Sequence, residues 1–186
     1  SAVVAEIEAA VLSVVAGRPV KVQWTRAQEF RQAFHRPQSS HRLQARLKDG
    51  RITDWHHRQA SGHVIFTNAG LPVWMQSITD LVGDKGVARG MLPPYAIDRR
   101  DIGYDLQRLP VLTGPWRGLG AGPNSFAIEC MMDECAHAAG IDPVAFRRDH
   151  ITDPRLRAVL DTVLAQAGSS APGTVRGVAS GIYKGR

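Results

Sequence analysis

The chain has 186 residues, of which 44% are apolar and 22% charged, the make-up of an ordinary globular domain with enough length to bury about two-thirds of its unfolded surface. No apolar run approaches the roughly 18 residues that a membrane-crossing helix needs, so no membrane partner is expected. The formal charge is +6 (23 basic against 17 acidic residues) with a pI near 9.9, which raises nucleic acid as a partner, but Arg18, Arg26, Arg31, Arg36, Arg42, Arg46, Arg51 and Arg58 are scattered among apolar residues and no nucleic-acid motif accompanies them.

Val3, Val4, Ile7, Val11, Val14 and Val15 recur at helical spacing, with Gly17 as the stop. The chain thus opens inside an amphipathic helix and without Met, and it is expected to be an internal piece of a larger polypeptide. Arg18 to Arg26 alternates, with Val20, Val22 and Trp24 on one face, and predicts a strand. Phe30 to Ser40 reads as irregular. His41–Leu47 and Arg51–Ala60 are strand-like and joined by Lys48-Asp49-Gly50, a strong hairpin signal, with Leu43, Ala45 and Leu47 as the buried face. Trp74 to Val82 predicts a short helix, Pro93-Pro94 ends any helix begun near Val87, and Ile102 to Leu109 predicts another strand.

Asn124 to Ala139 lacks Gly and Pro and reads as a helix, with Asn124 or Ser125 as its N-cap and Gly140 just past its end. Asp142-Pro143 and Asp153-Pro154 each place a capping carboxylate before a Pro at the first helical position. Leu156, Val159, Leu160, Val163 and Leu164 form the stripe of the last helix. Residues 168–175 read as a linker, and Arg176 to Tyr183 as the start of a strand. The fold expected is α+β: a small, mostly antiparallel sheet packed against several helices, with residues 1–186 as a single domain.

Seven histidines invite a metal reading, five of them (His35, His41, His56, His57 and His63) in one third of the chain, but no spacing fits a metal site, and His56 and His57 point to opposite faces of a strand. His137 lies seven residues from Cys130, two helical turns, too far for a Cys–His pair. Cys130 and Cys135, five apart, point in different directions and are expected to be buried free thiols. Glu129, Asp133, Glu134 and Asp149 are candidate acid–base carboxylates, but Glu129 and Asp133 share a helix face as an i, i+4 pair, with Arg147 and Arg148 available to bind such groups. No catalytic and no metal-ligating residue is assigned.

The stretch that carries chemistry is Pro115 to Pro123, PWRGLGAGP, which feeds the long helix. Glycines let backbone approach a ligand, and a helix N-terminus offers free N–H groups to an anion. Pro115 to Asp149 resembles the molybdenum-binding subunit of the xanthine oxidase family of molybdenum hydroxylases, and within it the isoquinoline 1-oxidoreductase and bacterial aldehyde dehydrogenase branch. GRPVKVQWTRAQEF (Gly17–Phe30) with HRP (His35–Pro37), and ARGMLPPYAI (Ala88–Ile97), agree with that likeness.

The resemblance implies a molybdopterin-binding domain from an oxidoreductase that hydroxylates an N-heterocycle or oxidises an aldehyde with oxygen from water. It implies Arg117, Gly118 and Gly120 as backbone contacts to the cofactor and Leu119 as a substrate-pocket wall, where the xanthine oxidase branch carries an aromatic. The cofactor implied is molybdopterin with molybdenum, in its dinucleotide form. The partners implied are the rest of the molybdenum subunit, an iron–sulfur subunit and a small-molecule substrate. GGFG and GQG segments and a glutamate after glycine, all implied by the family, do not occur among these residues, so the chain alone is expected to be inactive and to carry no cofactor. Two other readings stay open: a non-enzymatic α+β binding or assembly module, and a basic nucleic-acid-binding domain favoured by charge alone. The sequence assigns no compartment.

Overall fold

The structure is a computed structural model that describes residues 2–64, 73–111 and 113–183. Among these residues, six helices and three strands follow in the order α1 (Ala2–Ala16), α2 (Arg26–Gln32), β1 (Ser39–Lys48), β2 (Arg51–Gly62), α3 (Val73–Val82), β3 (Arg99–Gln107), α4 (Ala121–Ala139), α5 (Pro143–His150) and α6 (Pro154–Ala167). The fold is α+β, as the sequence implies.

The hairpin forms where Asp49 and Gly50 take φ of 50° and 73°, the doubly left-handed turn that matches strand twist. β1 pairs antiparallel with β2, and a register shift between Arg46 and Leu47 leaves Thr53 as an extra residue. That bulge lets Ile52 and Trp55, three apart, both face the core. The sheet is mixed and not mostly antiparallel, because β3 lies parallel to β2 with Trp55 opposite Arg100. A parallel neighbour needs a long crossover, and the segment between β2 and β3 supplies it.

The core lies between this sheet and the helices. Leu43, Ala45 and Leu47 line its sheet side with Ile52 and Trp55. Asn124, Ile128, Met132, Cys135 and Ala136 form one buried stripe of α4, and Phe146, Ile151, Leu156 and Leu160 close the far side. α4 ends in a left-handed cap at Gly140, φ 66°. Asp142 and Asp153 accept from the first backbone N–H groups of α5 and α6, with Pro next to each, as the sequence indicates.

Several expectations are corrected. Residues 18–25 alternate, with Val20, Val22 and Trp24 half-buried, but no strand among the described residues pairs with them; Val20 and Trp24 instead tie back to α1, through Ser13 and through Glu8 at 2.6 Å. Thr25 caps α2 in a capping box with Gln28, the T-x-x-Q pattern of a helix start. Residues 176–183 form no strand, although Val178 packs against the core. On α1 Val4, Ile7, Val11, Val14 and Val15 are exposed among the described residues, Val14 and Val15 by more than 80%, and Val159 and Val163 on α6 are also exposed. Residues 168–175 are exposed and irregular.

Candidate functional site

Three distant segments meet at the start of α4. β3 leads into Thr113, which bridges to His35 in parallel fashion and donates its hydroxyl to the His63 carbonyl at 3.0 Å. Gly114 then donates to the His35 carbonyl at 3.1 Å, and its Cα packs so closely on Phe34 that an added Cβ would lie 2.8 Å from that side chain. From the other side comes the 84–90 turn. Asp84 organises it, accepting from Gly86 N at 2.8 Å and from Val64 N at 2.7 Å.

Between them sits the turn at 116–120. Leu119 N donates to the Trp116 carbonyl at 2.8 Å, and Ala121 N to the Gly118 carbonyl at 3.0 Å. Gly118 has φ 80° and Leu119 φ 53°. A left-handed leucine costs roughly 1–2 kcal/mol. A cationic hydrogen bond of about 1.5–3 kcal/mol is enough to offset that. Arg36 makes two: Nη1 to the Leu119 carbonyl at 2.7 Å and Nη2 to the Arg117 carbonyl at 2.8 Å.

These bonds fix the direction of the peptide groups, since the C=O and N–H of a trans peptide point oppositely. The Leu119–Gly120 peptide is pinned at both ends, because Gly120 N donates to Gly86 O at 2.9 Å. The Arg117–Gly118 peptide is held at its carbonyl, which leaves the Gly118 N–H on the opposite side. The Trp116 carbonyl is likewise engaged, which does the same for the Arg117 N–H. Among the described residues no acceptor takes either N–H, and a Cβ at Gly118 would meet nothing within 4 Å.

The predicted residues therefore divide. Arg117 is exposed and Gly118 and Leu119 are half-buried on one open turn. Gly120 is buried under its own chain: a Cβ there would collide with the Val87 carbonyl and lie 2.8 Å from the Gly86 carbonyl. The glycine is demanded by the 86–87 backbone, and its N–H is already used. Gly120, not Asn124 or Ser125, is the N-cap of α4. Asn124 instead donates through Nδ2 to the carbonyls of Val87 and Arg89, both at 2.9 Å, stapling the 84–90 turn onto the helix. No local pattern in the sequence marks Arg36 or Asp84 as a site residue. Their roles depend on partners distant in the chain, and only the HRP block hinted at the first.

The remaining candidates lie elsewhere. Glu129 and Asp133 bind Arg147, which is fully buried: Nε donates to Glu129 Oε2 at 2.9 Å and Nη1 to Asp133 Oδ1 at 2.6 Å. Tyr95 donates to Glu129 Oε1 at 2.7 Å, and burial followed by the Glu129 charge pushes the phenol above its usual range. His41 and His57 face each other with Nδ1 and Nε2 3.0 Å apart. Burial, then the neighbouring His41, lowers His57 to about 4. His56, on the opposite face, meets Asp101 at 3.0 Å. Among the described residues no group of three or more His, Cys, Asp or Glu could hold a metal ion. Both cysteines are free; Cys135 is buried, whereas Cys130 is exposed, contrary to expectation, because its position on α4 falls outside the buried stripe. No helix among the described residues is long and apolar enough to cross a membrane.

Comparison with known proteins gives a family match over residues 1–151, to the molybdopterin cofactor-binding domain. One of the subunits of nicotinate dehydrogenase from Pseudomonas putida is 32% identical over 170 residues, covering 86% of this chain and 13% of that protein. The beta subunit of isoquinoline 1-oxidoreductase from Brevundimonas diminuta is 29% identical over 160 residues, covering 84% of this chain and 20% of the relative. PaoC, the molybdenum-binding subunit of an Escherichia coli aldehyde oxidoreductase, is 32% identical over 141 residues, 74% of this chain and 17% of the relative. The chain thus spans a fifth or less of these relatives. Quinoline 2-oxidoreductase from Pseudomonas putida 86 shares the fold, with a TM-score of 0.62 at 19% identity over 84% of this chain and 21% of that one.

Proposed function

Because the chain belongs to the molybdopterin cofactor-binding domain family, we propose that the 116–120 turn is one wall of a molybdenum-cofactor pocket in a larger oxidoreductase. The observation that carries this is the pair of outward N–H groups on Arg117 and Gly118, beside open space where a Cβ on Gly118 would touch nothing. Such donors suit an anionic or oxygen-rich group, since fixed backbone dipoles need no reorganisation to receive it. Arg117 and Gly118 would hold the cofactor through their backbones. Gly120 would serve the pocket by seating the turn on Gly86–Val87, and Leu119 would border the substrate.

When bound, the molybdenum cofactor supplies the oxidation chemistry and passes on the electrons. This chain's part is to bind and orient. None of its residues is assigned a proton-transfer step. For the parent enzyme the reading is hydroxylation of an N-heterocycle or oxidation of an aldehyde, with water as oxygen source, the dinucleotide form of the pterin and an iron–sulfur partner subunit.

The test is Gly118→Asn in the full-length parent. Asn tolerates a left-handed backbone, so the turn persists while bulk enters the open space. Molybdenum per chain should fall severely. Full metal content with normal turnover would refute the reading. Gly120→Val does not discriminate, because its added bulk strikes the chain's own Val87 carbonyl.

A further inference from the structure

Arg36 belongs to no established role in this chain, yet it joins segments more than 80 residues apart. A planar guanidinium presents several N–H donors in a rigid fork, so one side chain can hold two carbonyls in a fixed relation. The two it holds flank the left-handed pair Gly118–Leu119. Between those carbonyls the backbone can otherwise reorient cheaply, because Gly118 is a glycine with no Cβ contact and is free to populate both halves of φ space. Reversal of the Arg117–Gly118 peptide would turn its N–H inward and its carbonyl outward, replacing a donor by an acceptor on the open side. The Arg36 grip on the Arg117 carbonyl is the contact that opposes this reversal. Its own segment is anchored independently, through the His35–Thr113 bridge and the Gly114-to-His35 bond, so the fork is aimed by the protein's own contacts.

We infer that Arg36 is the positioning residue of this turn: by holding the Arg117 and Leu119 carbonyls it keeps the Gly118 N–H directed to the open side, where it receives an electronegative atom of the cofactor. The inference rests on the pocket reading given above. Arg36 acts through the backbone, by the two carbonyls it holds.

The test uses the full-length parent carrying Arg36→Ala, Arg36→Lys or Gly118→Asn. Two quantities are measured: molybdenum per chain, and amide exchange of Leu119, Gly120 and Ala121, whose bonds hold the turn. In Arg36→Ala exchange at these amides should rise about tenfold or more, as expected when a local opening becomes easier. The middle of α4 should stay protected, and molybdenum content should fall. Millimolar guanidinium added to that variant during cofactor loading should restore part of both, which a purely structural loss would not allow. Arg36→Lys keeps the charge but not the fork and should stay closer to the Ala variant than to the parent. It also carries the test if Arg36→Ala fails to accumulate.

Unchanged exchange and full molybdenum in Arg36→Ala, with molybdenum lost in Gly118→Asn, would overturn the role of Arg36 while sparing the pocket reading. Faster exchange in Arg36→Ala with molybdenum retained in both variants would overturn the pocket reading and with it the orientation of a cofactor donor. Parent-like behaviour of Arg36→Lys would assign the effect to charge and also overturn the inference.

Discussion

Replacing Arg147 by Met removes the cation at the centre of the contact between α4 and α5. The guanidinium is fully buried and bonds Glu129 Oε2, the Glu129 carbonyl, Asp133 Oδ1 and the Pro143 carbonyl at 2.6 to 3.2 Å. Glu129 is itself only 5% exposed. Met fills much of the same volume, so the dominant effect is an uncompensated buried carboxylate, worth about 3–5 kcal/mol. Asp133 is half-exposed and resolvates at little loss. Tyr95 and the Ser180 N–H still donate to Glu129 and keep the figure toward the lower end. At about 2–4 °C per kcal/mol for a chain of this size, the midpoint of thermal unfolding should fall by roughly 10 °C. Urea denaturation followed by circular dichroism gives the free energy directly. Arg147→Met with Glu129→Gln should recover part of the loss, since the orphaned charge is then absent. A single-variant cost below about 1 kcal/mol is incompatible with an uncompensated buried carboxylate, as is a double variant equal to the sum of its parts.

The chain should lose stability as pH falls from about 6.5 toward 4, by up to about 3 kcal/mol from His57. Its folded pKa is lowered to about 4, so in that window the unfolded chain binds the extra proton and the folded chain does not. His57→Gln should flatten that part of the pH–stability curve, and an unchanged slope would contradict the assignment. Thiol titration should find one reactive cysteine in the native chain and two after unfolding without reductant. Cys130 is exposed, whereas Cys135 is buried with its thiol pushed up to about 11, chiefly by desolvation. Two reactive thiols in the native state, or none after unfolding, would contradict this.

Local signals in the sequence were sound where the structure depends on local physics. Asp49-Gly50 specifies a two-residue turn by its φ angles, and Gly140 specifies a helix end in the same way. Asp142-Pro143 and Asp153-Pro154 cap the helices they precede. Alternation misled at residues 18–25, because a period of two shows that one side is covered and says nothing about a pairing partner. The parallel placement of β3 left no local mark, since its register is set across a long crossover. In the candidate site the glycines announced close backbone approach, but their composition could not say what approaches. For Gly120 it is the 86–87 backbone; for Gly118 it is open space. Arg36 looked like one scattered arginine among eight in the first third of the chain, and only the fold brings it to Arg117 and Leu119. The family blocks HRP, ARGMLPPYAI and PWRGLGAG are separated in sequence, yet they converge at the start of α4.

The proposed pocket places a molybdenum cofactor against the Arg117 and Gly118 amides. An anomalous difference map at the molybdenum edge, from crystals of the cofactor-loaded parent, tests it most directly. The molybdenum peak is expected on the open side of the 116–120 turn, with an electronegative cofactor atom within hydrogen-bond distance of the Gly118 N–H. A peak on another face of this domain, with the Gly118 N–H turned inward or bonded to protein, would contradict it.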